Sequence, residues 1–289
     1  MIPTIIFDTS GINALENGGA ASEPLMRRLQ CGFKVILTFT SAEELIATPE
    51  LEKREALLAR FERLWRLGAE CICPPHEIMR LLIYAHSSDP SQFDWTKVGV
   101  RTPECRDLEY AIARRDLDNE LCIQQRTENL ESEKGFQGIW KGLRPKVDPI
   151  FMEEPFRRPN NYGEAVATGA AEYWGQKHYK SFSGSELTET EVQSFMEVCP
   201  PFRAYCYGTV MAEYNWALRA YDGNKRPSAG RNDLYAAVYL PYCDQFITND
   251  RPQRENLREV ASGAKIPCEI LCLNDFEHSG VSRVGTANP

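Results

Sequence analysis

Ile5-Ile6-Phe7-Asp8-Thr9-Ser10-Gly11 decides the fold: three apolar residues stop abruptly at a carboxylate, and a polar, glycine-bearing loop follows. A short apolar run bounded in this way reads as a buried strand. Open α/β sheets bind ligands just beyond the carboxyl ends of their strands, which makes Asp8 a candidate site residue. The arrangement recurs at Phe246-Ile247-Thr248-Asn249-Asp250, a second apolar strand ending in an acid, with Pro252 opening a helix.

Working outward, the periodicity predicts strands at 3–7, 34–38, 70–73, 245–248 and 268–273. Helices are predicted at 11–16, 22–30, 41–46, 50–67, 77–84, 203–221, 232–241 and 252–261. This alternation argues for an α/β fold with a mostly parallel sheet covered by helices on both faces. Two more acids fall where such a fold gathers residues. Glu44 follows the strand Val35-Ile36-Leu37, near the start of the next helix, and Asp233 opens the helix carrying Leu234, Ala237 and Val238. In helix 203–221, Tyr207, Val210, Met211, Tyr214, Leu218 and Tyr221 form a stripe that reads as core rather than as a platform for bases.

Each acid also has a purely structural reading. Asp8 suits a turn, and Asp233 suits the first turn of a helix, where the dipole favours negative charge. Ser41-x-x-Glu44 is a capping-box pattern, in which the glutamate reaches back to the N-cap amide. Neighbouring Glu43 competes with Glu44 for any site role. Gathered in one pocket, four carboxylates repel one another, and an unpaired buried charge costs several kcal/mol by rough estimate. A divalent cation removes that penalty. Magnesium and manganese take oxygen ligands and keep several waters, which suits an Asp/Glu set without His or Cys.

In its order, strand-Asp, strand then helix with Glu, later helix opening with Asp, strand ending in Thr-x-Asp, the chain resembles the PIN-domain nucleases. The matching stretches are Ile5–Ser10, Thr40–Leu45, Asn232–Ala237 and Ile247–Asp250, and the most specific part is the last pair, Asp233 and Asp250, 17 positions apart. The resemblance covers roughly residues 1–84 and 203–276. It implies a three-layer α/β/α sandwich and Mg2+- or Mn2+-dependent hydrolysis of RNA, or less often of structured DNA. Asp8, Glu44, Asp233 and Asp250 would be the metal-binding and catalytic residues. Thr248 would be a nearby hydroxyl orienting a ligand or water, with Asn249 beside it in a supporting place. Small nucleases of this family often act as toxins held by a protein inhibitor. RNA is therefore the implied substrate, and an antitoxin or a second copy of the chain are candidate partners.

Residues 85–202 have no counterpart in a minimal domain of that kind. The Pro-bearing loop Ser87–Ser91 and Pro200-Pro201 mark the borders of a mainly helical insertion. Within it, Thr102-Pro103 begins a charged helix reaching about Glu133, and a Gly- and Pro-interrupted loop follows. A second helix spans Tyr162–Tyr179, and a third begins at the capping box Thr188-x-x-Glu191. Residues 277–289 read as a flexible tail.

The composition fits a cytoplasmic enzyme. No apolar run is long enough to cross a bilayer, and the N-terminus carries no basic region followed by an apolar stretch, so neither a membrane anchor nor a signal peptide is expected. The ten cysteines are scattered, several within apolar strands, and read as free thiols in a reducing compartment. Neither Cys71-x-Cys73 nor Cys268-x-x-x-Cys272 has a well-spaced partner pair for zinc. A net charge of -8 disfavours indiscriminate coating of nucleic acid, which depends on many phosphate contacts. Lys225, Arg226 and Arg231 before Asp233, and Arg251 after Asp250, form a local basic set positioned to guide a phosphate backbone.

Other function classes fit less well. Asp8-Thr9-Ser10-Gly11 differs from the Asp-Thr-Gly of aspartic proteases by one position and has no second copy. A phosphatase with an Asp nucleophile would want an acid two places on, where Ser10 stands. The remaining alternative to a nuclease is a non-catalytic module of the same fold that binds protein or RNA.

Overall fold

Five short strands, Thr4–Phe7 (β1), Lys34–Thr38 (β2), Glu70–Ile72 (β3), Gln245–Ile247 (β4) and Glu269–Leu271 (β5), pair in parallel in the order β3-β2-β1-β4-β5. The computed structural model describes residues 2–15, 23–115, 119–150, 157–219 and 230–279. Ile5, Ile6 and Phe7 have no solvent exposure, which explains why β1 is apolar without alternation: a central parallel strand is buried on both faces. Successive side chains still point to opposite sides. Ile6, Ile72, Phe246 and Ile270 enter one core, while Ile5, Phe7, Leu37, Cys71, Ile247 and Leu271 enter the other.

The second core is covered by the helices Thr9–Ala14, Glu23–Gly32, Phe39–Ile46, Leu51–Trp65, Pro103–Arg114 and Leu273–Ser279. The first is covered by Pro75–Ser88, Ala170–Ser183, Glu189–Val198, Pro200–Glu213 and Arg251–Gly263. The result is an α/β architecture with an all-parallel central sheet and helices over both faces. The described residues between 85 and 202 are mostly in helices, and they share the body's packing. Tyr179, Phe195 and Phe202 lie in the same core as Ile78 and Leu82. No helix among the described residues is long and apolar enough to cross a membrane. All ten cysteines are free.

Several expectations are corrected. The single helix expected from Thr102 to about Glu133 is two: Pro103–Arg114 ends at Arg115 in the left-handed conformation (φ 55°), and a separate helix runs Asn119–Val147. That second helix continues through the stretch expected to be a Gly- and Pro-interrupted loop. Phe136 and Trp140, 5% and 3% exposed, anchor it to the core, and their burial outweighs the penalty of roughly 1 kcal/mol for each interior glycine. The helix expected over Tyr162–Tyr179 breaks at Gly169 (φ 78°) into Tyr162–Val166 and Ala170–Ser183. The helix expected at 232–241 is a single turn, Arg231–Tyr235, continued as a 3-10 segment Ala236–Tyr242 that tolerates Pro241. The chain after β5 forms the helix Leu273–Ser279 rather than further strand and tail; residues 280–289 lie outside the described part.

One buried histidine gives the fold a pH signature. His178 shares a hydrogen bond of 3.0 Å with the Thr209 hydroxyl and packs on Trp174 and Tyr205. Burial lowers its pKa from 6.5 to about 4. The unfolded chain therefore takes the proton first. The stability contributed by neutral His178 is present above pH 6.5 and is lost as pH falls toward 4, by up to about 1.4 kcal/mol per pH unit. Urea unfolding of His178→Gln should show a shallower loss of stability than the native chain over that window. Parallel profiles would contradict the assignment.

Candidate active site

β1 and β4 lie side by side at the centre of the sheet, with β2 and β3 beyond β1 and β5 beyond β4. The chain order reverses between them, which is where open α/β sheets leave a crevice at the strand ends. Asp8 and Asp250 stand at the two sides of that crevice. The Asp8 backbone N–H donates to the Ile247 carbonyl (3.0 Å), continuing the ladder past β1. The Asp8 carboxylate then caps the helix Thr9–Ala14 by accepting from the Gly11 N–H at 2.6 Å. Asp250 does the same for the helix Arg251–Gly263, accepting from the Gln253 N–H at 2.7 Å.

Ser10 stitches the two strand ends together. Its hydroxyl accepts from the backbone N–H groups of Asn249 (2.8 Å) and Asp250 (3.0 Å) and donates to Asp8 Oδ1 (3.0 Å). Gly11 permits the close approach, since a Cβ there would stand 2.6 Å from the Ile247 carbonyl oxygen.

The helix carrying Glu44 begins two residues earlier than expected. Thr38 is its N-cap and accepts from the Ser41 N–H at 3.1 Å, so the Ser41–Glu44 capping box does not form. Glu44 is thereby released toward the strand ends, where its carboxylate accepts from Asn232 Nδ2 (2.8 Å) and from the Thr9 hydroxyl. Asp233, in the first turn of Arg231–Tyr235, accepts from the Gly230 N–H at 2.8 Å. Asp8, Glu44, Asp233 and Asp250 all line one cavity of about 310 Å³.

The electrostatics of this cavity disfavour four anions. Burial lifts the Asp8 carboxyl from 3.8 to about 7; the Gly11 N–H and the Thr248 and Ser10 hydroxyls pull it down, and the Glu44 charge pushes it up. Burial also lifts Asp233 to about 7, opposed by the Gly230 N–H and reinforced by Glu44, Asp250 and Glu133. Glu44 is raised by burial and by Glu133, against its bonds to Thr9 and Asn232. For Asp8, the rise from 3.8 to about 7 remains after the capping bond from Gly11 has lowered it, and amounts to roughly 4 kcal/mol against the ionised form at about 1.4 kcal/mol per unit. Capping alone is a weak account of carboxylates placed this way.

The donor set fits a hard divalent cation: carboxylates and hydroxyls line the cavity, with no thiol or imidazole among its lining residues. Among the described residues, no group of three or more His, Cys, Asp and Glu side chains is arranged to hold a metal ion. Magnesium in particular commonly keeps several waters and binds through few carboxylates.

The remaining candidates divide. Thr248 is fully buried; its hydroxyl lies 2.6 Å from Gln253 Oε1 and 3.0 Å from the Ser10 hydroxyl, so it braces the loop instead of lining the cavity. Asn249 turns to the neighbouring strand end, accepting from the Leu273 N–H at 2.9 Å. Glu43 faces a second, adjoining cavity together with Arg231. Arg251 is 79% exposed and pairs with Glu255 at 2.7 Å, outside the acid cavity. Lys225 and Arg226 lie outside the described residues.

Sequence reasoning missed four participants. Asn232 holds Glu44, Ser10 joins the strand ends, Lys53 adds a cation to the cavity wall, and Glu133 reaches in from the helix Asn119–Val147 to accept from the Arg231 N–H at 2.8 Å. Ser10 and Asn232 had a readable signal, being polar residues within two positions of candidate acids. Glu133 had none, because it looks like any other charge on a solvated helix. Comparison of the chain with protein-family models, with curated proteins and with solved structures finds no match in any of the three.

Proposed function

We propose that the chain is a divalent-metal-dependent nuclease of the PIN type, hydrolysing RNA phosphodiester bonds at the cavity between β1 and β4. One observation carries the reading: Asp8, Glu44, Asp233 and Asp250, far apart in sequence, line one cavity beyond the strand ends, where burial and mutual repulsion raise the pKa of Asp8 and Asp233. The all-parallel sheet with helices on both faces agrees with the α/β/α sandwich of that family.

Asp8, Asp233 and Asp250 would hold Mg2+ or Mn2+, directly or through waters the ion retains, and when bound the ion supplies Lewis acidity and lowers the pKa of a coordinated water. Glu44, fixed by Asn232 and Thr9, either joins the ion or orients the attacking water. Ser10 keeps Asp8 and Asp250 in register by bonding both strand ends. Lys53 brings positive charge to the wall where a phosphate backbone enters. No protein nucleophile is required.

Asp233→Asn tests the reading. The amide keeps an acceptor for the Gly230 N–H and removes the charge, so cleavage of a labelled single-stranded RNA in Mn2+ should fall by more than the roughly 100-fold typical of outer-shell changes. An unchanged rate would count heavily against the site. A second reading, a binding module without catalysis, draws on one observation: each of the four acids already accepts hydrogen bonds within the protein. Under that reading the native chain cuts no RNA at any Mg2+ or Mn2+ concentration.

A further inference from the structure

Beside the acid cavity lies a smaller one, of about 140 Å³, which shares Thr40 and Asn232 with it. Glu43 and Arg231 both face this second space, and the Arg231 charge favours the ionised Glu43 without the two forming an ion pair among the described residues. Glu43 Oε1 accepts from Gln125 Nε2 at 3.2 Å, which fixes the carboxylate from the helix Asn119–Val147. Its Oε2 accepts no hydrogen bond among the described residues. The Arg231 guanidinium likewise makes no hydrogen bond there; it lies over the Tyr235 ring, 6.0 Å from the centroid. Tyr235 in turn packs on Tyr205, with centroids 4.9 Å apart.

This is a pocket with a carboxylate acceptor, a planar donor fork held over an aromatic ring, and aromatic walls. Single-stranded RNA is read by splaying out a base, stacking it on aromatic or guanidinium planes, and bonding its edges. The base must offer donors to Glu43 and a pair of acceptors to Arg231. Guanine presents O6 and N7 as adjacent acceptors, the pairing that an arginine fork takes bidentately. Its N1–H and exocyclic N2–H groups form adjacent donors on the neighbouring edge, matched to a carboxylate. Adenine replaces one acceptor beside N7 with an amino donor, uracil flanks its single N–H with carbonyls, and cytosine pairs its adjacent O2 and N3 acceptors with one amino group, giving a carboxylate a single donor group where guanine gives two.

We propose that the cavity between Glu43 and Arg231 is a guanine-binding subsite for the RNA nucleotide next to the scissile phosphate. The proposal deepens the nuclease reading and rests on it for the RNA context. It assigns the helix Asn119–Val147 a part in substrate choice, because Gln125 orients Glu43.

The test is binding of 5′-GMP, 5′-AMP, 5′-CMP and 5′-UMP to the full chain by calorimetry, without divalent metal, followed by mapping of the cuts in a mixed-sequence RNA. One good bidentate contact discriminates by about 1–3 kcal/mol, so GMP should bind roughly 5- to 150-fold more tightly than the other three. In E43Q, checked for folding by its thermal transition, GMP should weaken about tenfold or more while UMP changes little. Equal affinities for the four nucleotides in the native chain overturn the subsite, whatever E43Q does. So does a GMP preference that survives in folded E43Q. The two readings fail separately: RNA cut in Mn2+ without any base preference removes the subsite alone, whereas Glu43-dependent GMP binding without RNA cleavage removes the nuclease.

Discussion

Under the proposed reading, Asp8→Asn is expected to abolish Mn2+-dependent RNA cleavage and to leave the protein folded, with thermal stability at pH 8 no lower than that of the native chain. The two halves of this expectation come from the same side chain. Asp8 is only 8% exposed, and its Oδ1 accepts from the Gly11 N–H at 2.6 Å. Asparagine keeps an acceptor in that place and is as good an N-cap, so the start of the helix Thr9–Ala14 survives. What disappears is a charge that burial disfavours, with the carboxyl lifted to about 7. In the metal-free protein at pH 8 that charge opposes folding, and its removal relieves a penalty of up to a few kcal/mol by order of magnitude. A variant that loses cleavage because it unfolds, or that keeps cleaving, would contradict the account in different ways. A cleavage assay paired with a thermal melt separates them.

Gly11→Ala is expected to be the most damaging single-methyl change near the site. The added Cβ would sit 2.6 Å from the Ile247 carbonyl oxygen and 3.2 Å from Asp8 Oδ1. That carbonyl is not free to retreat, because it accepts the Asp8 N–H that extends the pairing of β1 with β4. Relief requires parting the two central strands or tilting the first helix, and either one separates Asp8 from Asp250. Overpacking of this kind typically costs about 1–3 kcal/mol, and the rigid neighbours here place the expectation at the upper end, with cleavage lost as well. Gly138→Ala is the control. A Cβ at Gly138 meets nothing within 4 Å, inside the helix Asn119–Val147, so the same methyl should stabilise by roughly 0.5–1 kcal/mol. Comparable urea midpoints for the two variants would refute the packing argument.

Much of this arrangement was legible in the chain because local and global signals agreed. Lys34–Thr38 forms the strand expected at 34–38, and Ile5-Ile6-Phe7 is fully buried as an uninterrupted apolar run between turn signals implies. Asp8, Asp233 and Asp250 were readable because each sits at a strand end or a first helical turn, and Glu44 because it lies in the short helix that follows β2, positions that parallel sheets bring to one edge. What failed did so where tertiary packing overrode local preference. The run Gly135 to Pro145 looks like loop, and only the burial of Phe136 and Trp140 makes it helix. The cap at Thr38 in place of Ser41 is a choice between equivalent hydroxyls three positions apart, and it decides whether Glu44 serves its own helix or the cavity. Glu133 carries no pattern, because its role comes from where the long helix crosses Gly230 and Arg231.

Direct binding of Mn2+, followed by electron paramagnetic resonance as the ion is titrated into the native chain, Asp8→Asn and Asp250→Asn, tests the central claim most closely. The native chain should take up one or two ions at the cavity lined by Asp8, Glu44, Asp233 and Asp250, and each variant should weaken that uptake at least about tenfold. Free Mn2+ signals that are the same for all three proteins would contradict the claim that these carboxylates form a cation site.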